Sequence, residues 1–403
     1  MRNLAFIAIC LVVFCIPWQE MAIFSEVLSV SFVLGGLTIF LSALAVVMNL
    51  RIRKLPPALV VLTLYVVVST ASMFWSMDFD ISRGSAFTYL QVFVLAWLIY
   101  EFADTQGRLV WLMLSYIAGA CLSLATMFLA VPGYVASWDV ARVSGGGMNA
   151  NDLAGTLCLA IIMAVYLAMA SAGKGTLARK LLWGFVPCAA VGVCMTGSRM
   201  GILVLVGSLL IMAWQAKASG FKAIIILLVV AGGTAYYLPR FIESGVMERV
   251  AEGTEARSFQ DRLVLWQSGL EYWASHPLQG CGLGCFPLAI APKVPRPDVA
   301  HNTFVTVLVE TGIVGFSLAT LFGILVFSTI VRMPRQERVL WLGLFVVWGA
   351  CAMVLTWDYR KDTWFLYGLV MAHYAVVRSQ QLLQPKAISP KNQRAVTSRK
   401  AAL

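Results

Sequence analysis

The chain has 403 residues, 60% of them hydrophobic and only 12% charged, with a formal net charge of +11. That apolar content exceeds what a soluble domain of this length can place inside, so a soluble enzyme is excluded and an all-α, polytopic membrane protein is expected. The positive excess sits in short connecting segments and in the tail, where it reads as membrane orientation and implies no nucleic-acid partner.

Hydropathy patterning predicts about twelve spans of roughly 17–25 residues, the length that crosses a bilayer core. They lie near 4–18, 27–49, 57–75, 85–101, 109–131, 152–171, 178–196, 198–216, 221–238, 301–331, 339–356 and 363–378. The first carries Arg2 and an apolar run, but Ile16-Pro17-Trp18-Gln19 is a poor small-residue cleavage site, so it reads as a span and not as a signal peptide. If the spans alternate, Arg2, Arg51/Arg53/Lys54, Lys174/Arg179/Lys180, Lys217/Lys222, Arg332/Arg335/Arg338 and the basic tail share one side, opposed there by Glu101, Asp104 and Glu337 alone. The positive-inside rule makes that side, and both termini with it, cytoplasmic. The chain then divides into spans one to nine (1–238), an extracytoplasmic loop (239–300), three further spans (301–378) and a basic cytoplasmic tail (379–403).

Three elements face outward. In the first, Ser144-Gly145-Gly146-Gly147-Met148-Asn149-Ala150-Asn151-Asp152 precedes an apolar helix; glycines permit sharp turns, and Asn151 or Asp152 is placed to cap that helix. The second is the tight turn Thr196-Gly197-Ser198-Arg199. The third is the large loop. There Ser258–Ser275 reads as an amphipathic helix, with Phe259, Leu263, Trp266, Leu270 and Trp273 spaced by three and four and its aromatics expected at headgroup depth. Pro277 ends it, and the glycine-rich turn Gly280-Cys281-Gly282-Leu283-Gly284-Cys285 follows. No strand precedes these glycines, so they are not a nucleotide loop. A disulfide between Cys281 and Cys285 is chemically allowed, whereas a zinc site with His276 lacks a fourth ligand. No metal or cofactor is expected. The other seven cysteines lie in spans and act as small apolar residues.

Outward arginines run against the positive-inside bias. Arg142, Arg199, Arg257, Arg262 and Arg296 offer rigid donor forks that suit a diphosphate, or they pair with loop carboxylates such as Asp139, Glu243, Glu255 and Asp261 or with anionic lipid. His301-Asn302, nine residues before Gly312-Ile-Val-Gly315, starts the tenth span. Its imidazole is either an acid–base group at the interface or an interfacial helix cap. Glu310 lies nine residues on, about half a turn out of phase and roughly 13 Å deeper at helical rise, and so falls outside the site. His373 reads as a core residue and His276 as a helix cap.

These residues resemble the O-antigen ligase and polymerase superfamily. Its pattern of His, then Asn/Ser/Gln, nine residues and Gly-x-x-Gly is matched by His301, Asn302, Gly312 and Gly315. Arg262-x-x-x-Trp266 with His276-Pro277-Leu278-x-Gly280-x-Gly282 is similar to its outer loop, Thr196–Arg199 to its arginine turn and Asn149–Ala154 to its Asn-rich element. Ala150 stands where proline is usual. The resemblance implies an inverting, metal-independent glycosyltransferase of the bacterial inner membrane with a periplasmic site. Its donor would be an undecaprenyl-diphosphate-linked glycan, and its acceptor the lipid A–core. In that reading His301 is the base, Arg199 and Arg262 hold the diphosphate, and Arg142, Arg257, Asn149, Asn151, Asn302 and Trp266 bind substrate. A polymerase of the same plan is the nearest alternative. A lipid-linked oligosaccharide flippase would need ionisable groups and broken helices near the midplane on two related halves, and no internal repeat is visible.

Overall fold

The computed structural model describes residues 1–18, 30–49, 52–129, 143–170, 177–215 and 254–383. Regular structure there is helical throughout: α1 (Arg2–Cys15), α2 (Val30–Asn49), α3 (Pro57–Ala71), α4 (Phe79–Phe102), α5 (Gln106–Phe128), α6 (Ala150–Ala170), α7 (Leu177–Met195), α8 (Arg199–Gln215), α9 (Thr254–Ser275), α10 (Phe286–Ile290), α11 (Thr303–Val331), α12 (Arg335–Val354) and α13 (Lys361–Leu383). Helices α1–α8 and α11–α13 occupy predicted spans. The span at 221–238 lies outside the described residues, as do residues 239–253 of the loop and 384–403 of the tail.

Among the described residues, seven helices are long and apolar enough to cross a membrane, namely α3 with its short extension to Phe74, α4–α7, α11 and α12. Shorter apolar stretches lie at Arg2–Trp18, Phe32–Met48 and Arg199–Ile211. The chain is therefore a polytopic helical membrane protein. Local sequence sets the helix starts: Pro57 stands in the first turn of α3, Asp78 caps α4 by accepting from Ile81 N (3.0 Å), and Thr105 caps α5 by accepting from Arg108 N (3.3 Å).

Helix α6 is the centre of the bundle. It is buried almost end to end and packs against α5, α7, α8 and α12. Its alanines and Gly155 let neighbouring backbones come close, which is how helices gain contact where lipid offers no hydrophobic drive. Helix α13 lies against α4, and α11 against α3. At the end predicted to be cytoplasmic, Glu101 is buried and accepts from Arg2 Nη1 (3.3 Å) and Arg53 N (2.9 Å). Asp104 pairs with Arg108 (2.9 Å). Glu101 and Asp104 thus tie Arg2, Arg53 and Arg108 together at that end.

Helix α9 covers the amphipathic stretch read from the sequence. Trp266, Tyr272 and Trp273 turn toward a small apolar core of the loop itself, made by Leu265, Cys285, Phe286, Ile290 and Val309 among others. Among the described side chains of α9, the large apolar ones that are exposed are Leu263, Val264 and Leu270. The aromatics therefore pack the loop onto the start of α11. Below them α11 breaks at Gly312, whose φ of 64° and ψ of −170° only glycine adopts at little cost. The glycine-rich turn fills that break: Cys281 N donates to Val309 O (2.9 Å), Gly282 N to Glu310 O (2.9 Å) and Ile313 N to Pro277 O (2.8 Å). A Cβ on Gly312 would stand 2.2 Å from Leu278 O, so the approach is as close as glycine allows.

Candidate active site

The site is built around the start of α11. Asn302 caps the helix, its side-chain oxygen accepting from Phe304 N (3.0 Å) and Val305 N (3.1 Å). His301 precedes it with φ at 47°, the one left-handed residue other than glycine among the described residues. Such a conformation costs about 1 kcal/mol or more in an L-residue and survives where neighbours enforce it. Here they do: the Trp266 indole donates to Ala300 O (2.7 Å), and Thr303 Oγ1 donates to Leu355 O (3.0 Å) while accepting from Trp357 N (2.8 Å). The imidazole is about one third exposed, with Nε2 3.6 Å from Asp298 Oδ2. It is thus presented to solvent from a rigid frame, and capping falls to Asn302 and not to the histidine.

Trp357 carries the frame to the next element. Its indole donates to Asp152 Oδ1 (2.6 Å) at the start of α6, where Arg360 Nη1 lies 3.8 Å from Asp152 Oδ2. Asn149, and not Asn151 or Asp152, caps α6: its Oδ1 accepts from Asn151 N (2.9 Å) and Asp152 N (3.0 Å), and its amide donates to Asp152. The start of α8 packs onto the same place, with Gly201 against Ala154. Arg199, exposed, is the first residue of that helix. One continuous chain of contacts therefore joins the Asn-rich element, the arginine turn and His301 at one end of the bundle.

Arg262 lies one turn before Trp266 on α9 and is half-buried, and that burial lowers its pKa. It remains a cation, since a guanidinium starts far above neutrality. Arg257 falls within α9, but its side chain is outside the described ones, and Arg142 lies outside the described residues altogether. Trp266 spends its indole N–H on Ala300, so it supports the His301 backbone. His276 stacks on Tyr272, with ring centroids 4.5 Å apart. His373 is buried and accepts from Trp341 Nε1 (3.1 Å), in keeping with a core residue. Cys281 and Cys285 are buried free thiols.

Beside the His301 frame is a cavity of about 450 Å³. Its wall includes Val299 and Ala300, the start of α4 from Asp80 to Tyr89, Thr306 and Glu310 of α11, and Thr356, Asp358 and Tyr359 of the α12–α13 connection. Glu310 accepts from Phe286 N (3.3 Å), so this buried carboxylate faces the loop core and the cavity. Asp358 accepts from the Tyr89 hydroxyl through Oδ2, while its Oδ1 and the Thr356 hydroxyl, both buried, have no hydrogen-bond partner among the described residues. Burial pushes the Asp358 carboxyl up to about 6. Sequence reading missed this connection. The signal was present in Thr356-Trp-Asp-Tyr-Arg-Lys-Asp362, four charges between two apolar helices on the outward side.

A partly exposed imidazole, Arg199 at the start of α8, and a cavity with both apolar and polar lining thus lie in a helical bundle of the membrane-spanning kind. Residues 183–320 match the family model described as O-Antigen ligase, a stretch that carries Arg199, Arg262, His301 and the glycine break. That match covers about a third of the chain; it supports the O-antigen ligase superfamily and indicates an enzyme of the glycosyl-transfer type. No curated protein matches it. Asn149, Asp152 and Asp358 fall outside the matched stretch.

Proposed function

We propose that the protein moves O-antigen glycan from undecaprenyl diphosphate to lipid A–core on the periplasmic face of a bacterial inner membrane, with both termini cytoplasmic. The observation that carries this reading is His301, held in a left-handed conformation and open to solvent at the bundle's outer end. A neutral imidazole there accepts the proton of the acceptor hydroxyl as that oxygen attacks the anomeric carbon. Attack opposite the leaving group inverts the centre in one displacement, so no second carboxylate is required as nucleophile. Arg199 and Arg262 take the growing charge on the departing diphosphate, the task a metal performs in other transferases. Arg142, Arg257, Asn151 and Asn302 lie at the same face of the predicted topology and bound the substrate path. Asn149, Asn302 and Trp266 act there chiefly by fixing the backbone.

The test is reconstitution of the purified chain with undecaprenyl-diphosphate-linked glycan, with lipid A–core in one vessel and donor alone in the other. Glycan on lipid A–core with release of undecaprenyl diphosphate is the expected product, and a chelator should leave its rate unchanged. Longer glycan still on the carrier would make the chain a polymerase. Transfer lost to chelator and restored by a divalent ion would overturn the metal-free scheme. Carrier crossing the bilayer without transfer would favour a flippase.

A further inference from the structure

Trp357, in the connection between α12 and α13, is fully buried and is gripped through both its main chain and its side chain. Its main-chain N–H donates to Thr303 Oγ1 (2.8 Å) in the first turn of α11, and its carbonyl accepts from Thr363 Oγ1 (2.6 Å) in the first turn of α13. Its indole N–H donates to Asp152 Oδ1 (2.6 Å) in the first turn of α6. An N–H bond of that length to a carboxylate is of the stronger kind. The ring lies in a slot cut for it: a Cβ on Gly155 would stand 2.8 Å from the indole, so the missing side chain lets the ring rest on the α6 backbone. Phenylalanine would fill much of that slot. Only the indole N–H reaches out to a buried carboxylate from it.

The helices joined in this way carry different parts of the proposed reaction. His301 lies two residues before Thr303, on the α11 side. On the α6 side, Gly201 packs so closely that a Cβ on it would stand 2.6 Å from Ala154 Cβ, and Arg199 is two residues before it. A single displacement needs the proton acceptor, the attacked carbon and the departing diphosphate in register, and a misplacement of about 1 Å can cost about 100-fold in rate. The base and the arginine stand on separate helices, so their register is a property of packing.

We infer that Trp357 is a positioning residue, whose hydrogen bond to Asp152 holds the start of α11, and with it the His301 imidazole, in register with the Arg199 end of α8. The inference rests on the glycosyl-transfer reading and deepens it. Being buried, Trp357 acts through His301 without touching substrate. Trp357 and Asp152 both fall outside residues 183–320, so the family match assigns neither a role.

The experiment measures glycan transfer from radiolabelled donor by the full chain in liposomes, for wild type, Trp357→Phe, His301→Gly and the double variant, with a melting curve for each. Trp357→Phe keeps an aromatic ring and loses the N–H. Its kcat should fall about tenfold or more while KM for the donor stays within about twofold, because the loss is one of alignment and not of binding. In the His301→Gly background the same change should cost less than about twofold, since residues that act as one unit are not additive. A merely structural role predicts equal losses in both backgrounds, and that result would overturn the inference. So would a folded Trp357→Phe protein with the wild-type kcat. Should Trp357→Phe fail to fold, Asp152 carries the test. Asp152→Asn keeps an oxygen for the indole and should retain about tenfold more kcat than Asp152→Ala, whereas equal losses in the two would overturn the clamp. Transfer by wild type with additive losses sinks the clamp alone; no transfer by wild type sinks the transferase reading and the clamp with it.

Discussion

At the scale of single residues, two side chains sit where stability alone would not put them. His301 holds a left-handed backbone that glycine or asparagine would adopt more cheaply, in a frame fixed by Asn302, Trp266 and Thr303. Asp358 is buried, and keeping it ionised at pH 7 when its pKa is pushed from 3.8 to about 6 costs about 3 kcal/mol relative to the unfolded chain. The sign follows from the raised value: the folded state binds this proton more tightly, so the group favours folding most at low pH. That contribution fades as pH rises through 6. Asp358→Asn removes the charge and keeps an oxygen for Tyr89. The variant should melt at or above the wild-type temperature at pH 7 and lose much of that advantage near pH 4, while its transfer activity falls. Melting below wild type at pH 7 would mean that the carboxylate is a structural anchor.

At the scale of elements, the break in α11 explains why the motif needs glycine where it does. Gly312 opens the helix, and the turn at Gly280–Gly282 donates into the exposed carbonyls of Val309 and Glu310. Gly312→Ala forces a left-handed backbone on alanine, about 1–3 kcal/mol by itself, and drives a Cβ into Leu278 O. Loss of folded protein on thermal challenge is the expected outcome, checked by size-exclusion chromatography after heating. A wild-type melting profile would show that the loop tolerates a straight helix. Helices were legible in the sequence because long apolar runs and their caps are local signals. The break was not, since Gly312-Ile-Val-Gly315 reads equally well as a packing surface. The contacts of α9 were not legible for a related reason: Trp266 and Trp273 pack partly against Phe286 and Val309, which are distant in the chain. Asp358 stayed invisible because its partner Tyr89 on α4 is remote in the chain.

At the scale of the whole molecule, the charge pattern predicts which end faces outward. Arg2 and Arg108 at the predicted cytoplasmic end pair with Glu101 and Asp104, while His301, Arg199, Arg262 and the cavity belong to the predicted outer end. Ser275 and Gln336 lie at exposed positions near the two ends. In intact spheroplasts, a membrane-impermeant thiol reagent should label Ser275→Cys and spare Gln336→Cys until the membrane is opened. The reverse pattern would invert the topology and put the site in the cytoplasm.

The most direct measurement is the rate of glycan transfer by His301→Gly in the reconstituted system, beside a melting curve of the same preparation. Glycine accepts the left-handed backbone, so the variant should fold at least as well as wild type and still lose about 10²–10⁴-fold in rate, the range a general base supplies. A well-folded His301→Gly protein turning over near the wild-type rate would contradict the account.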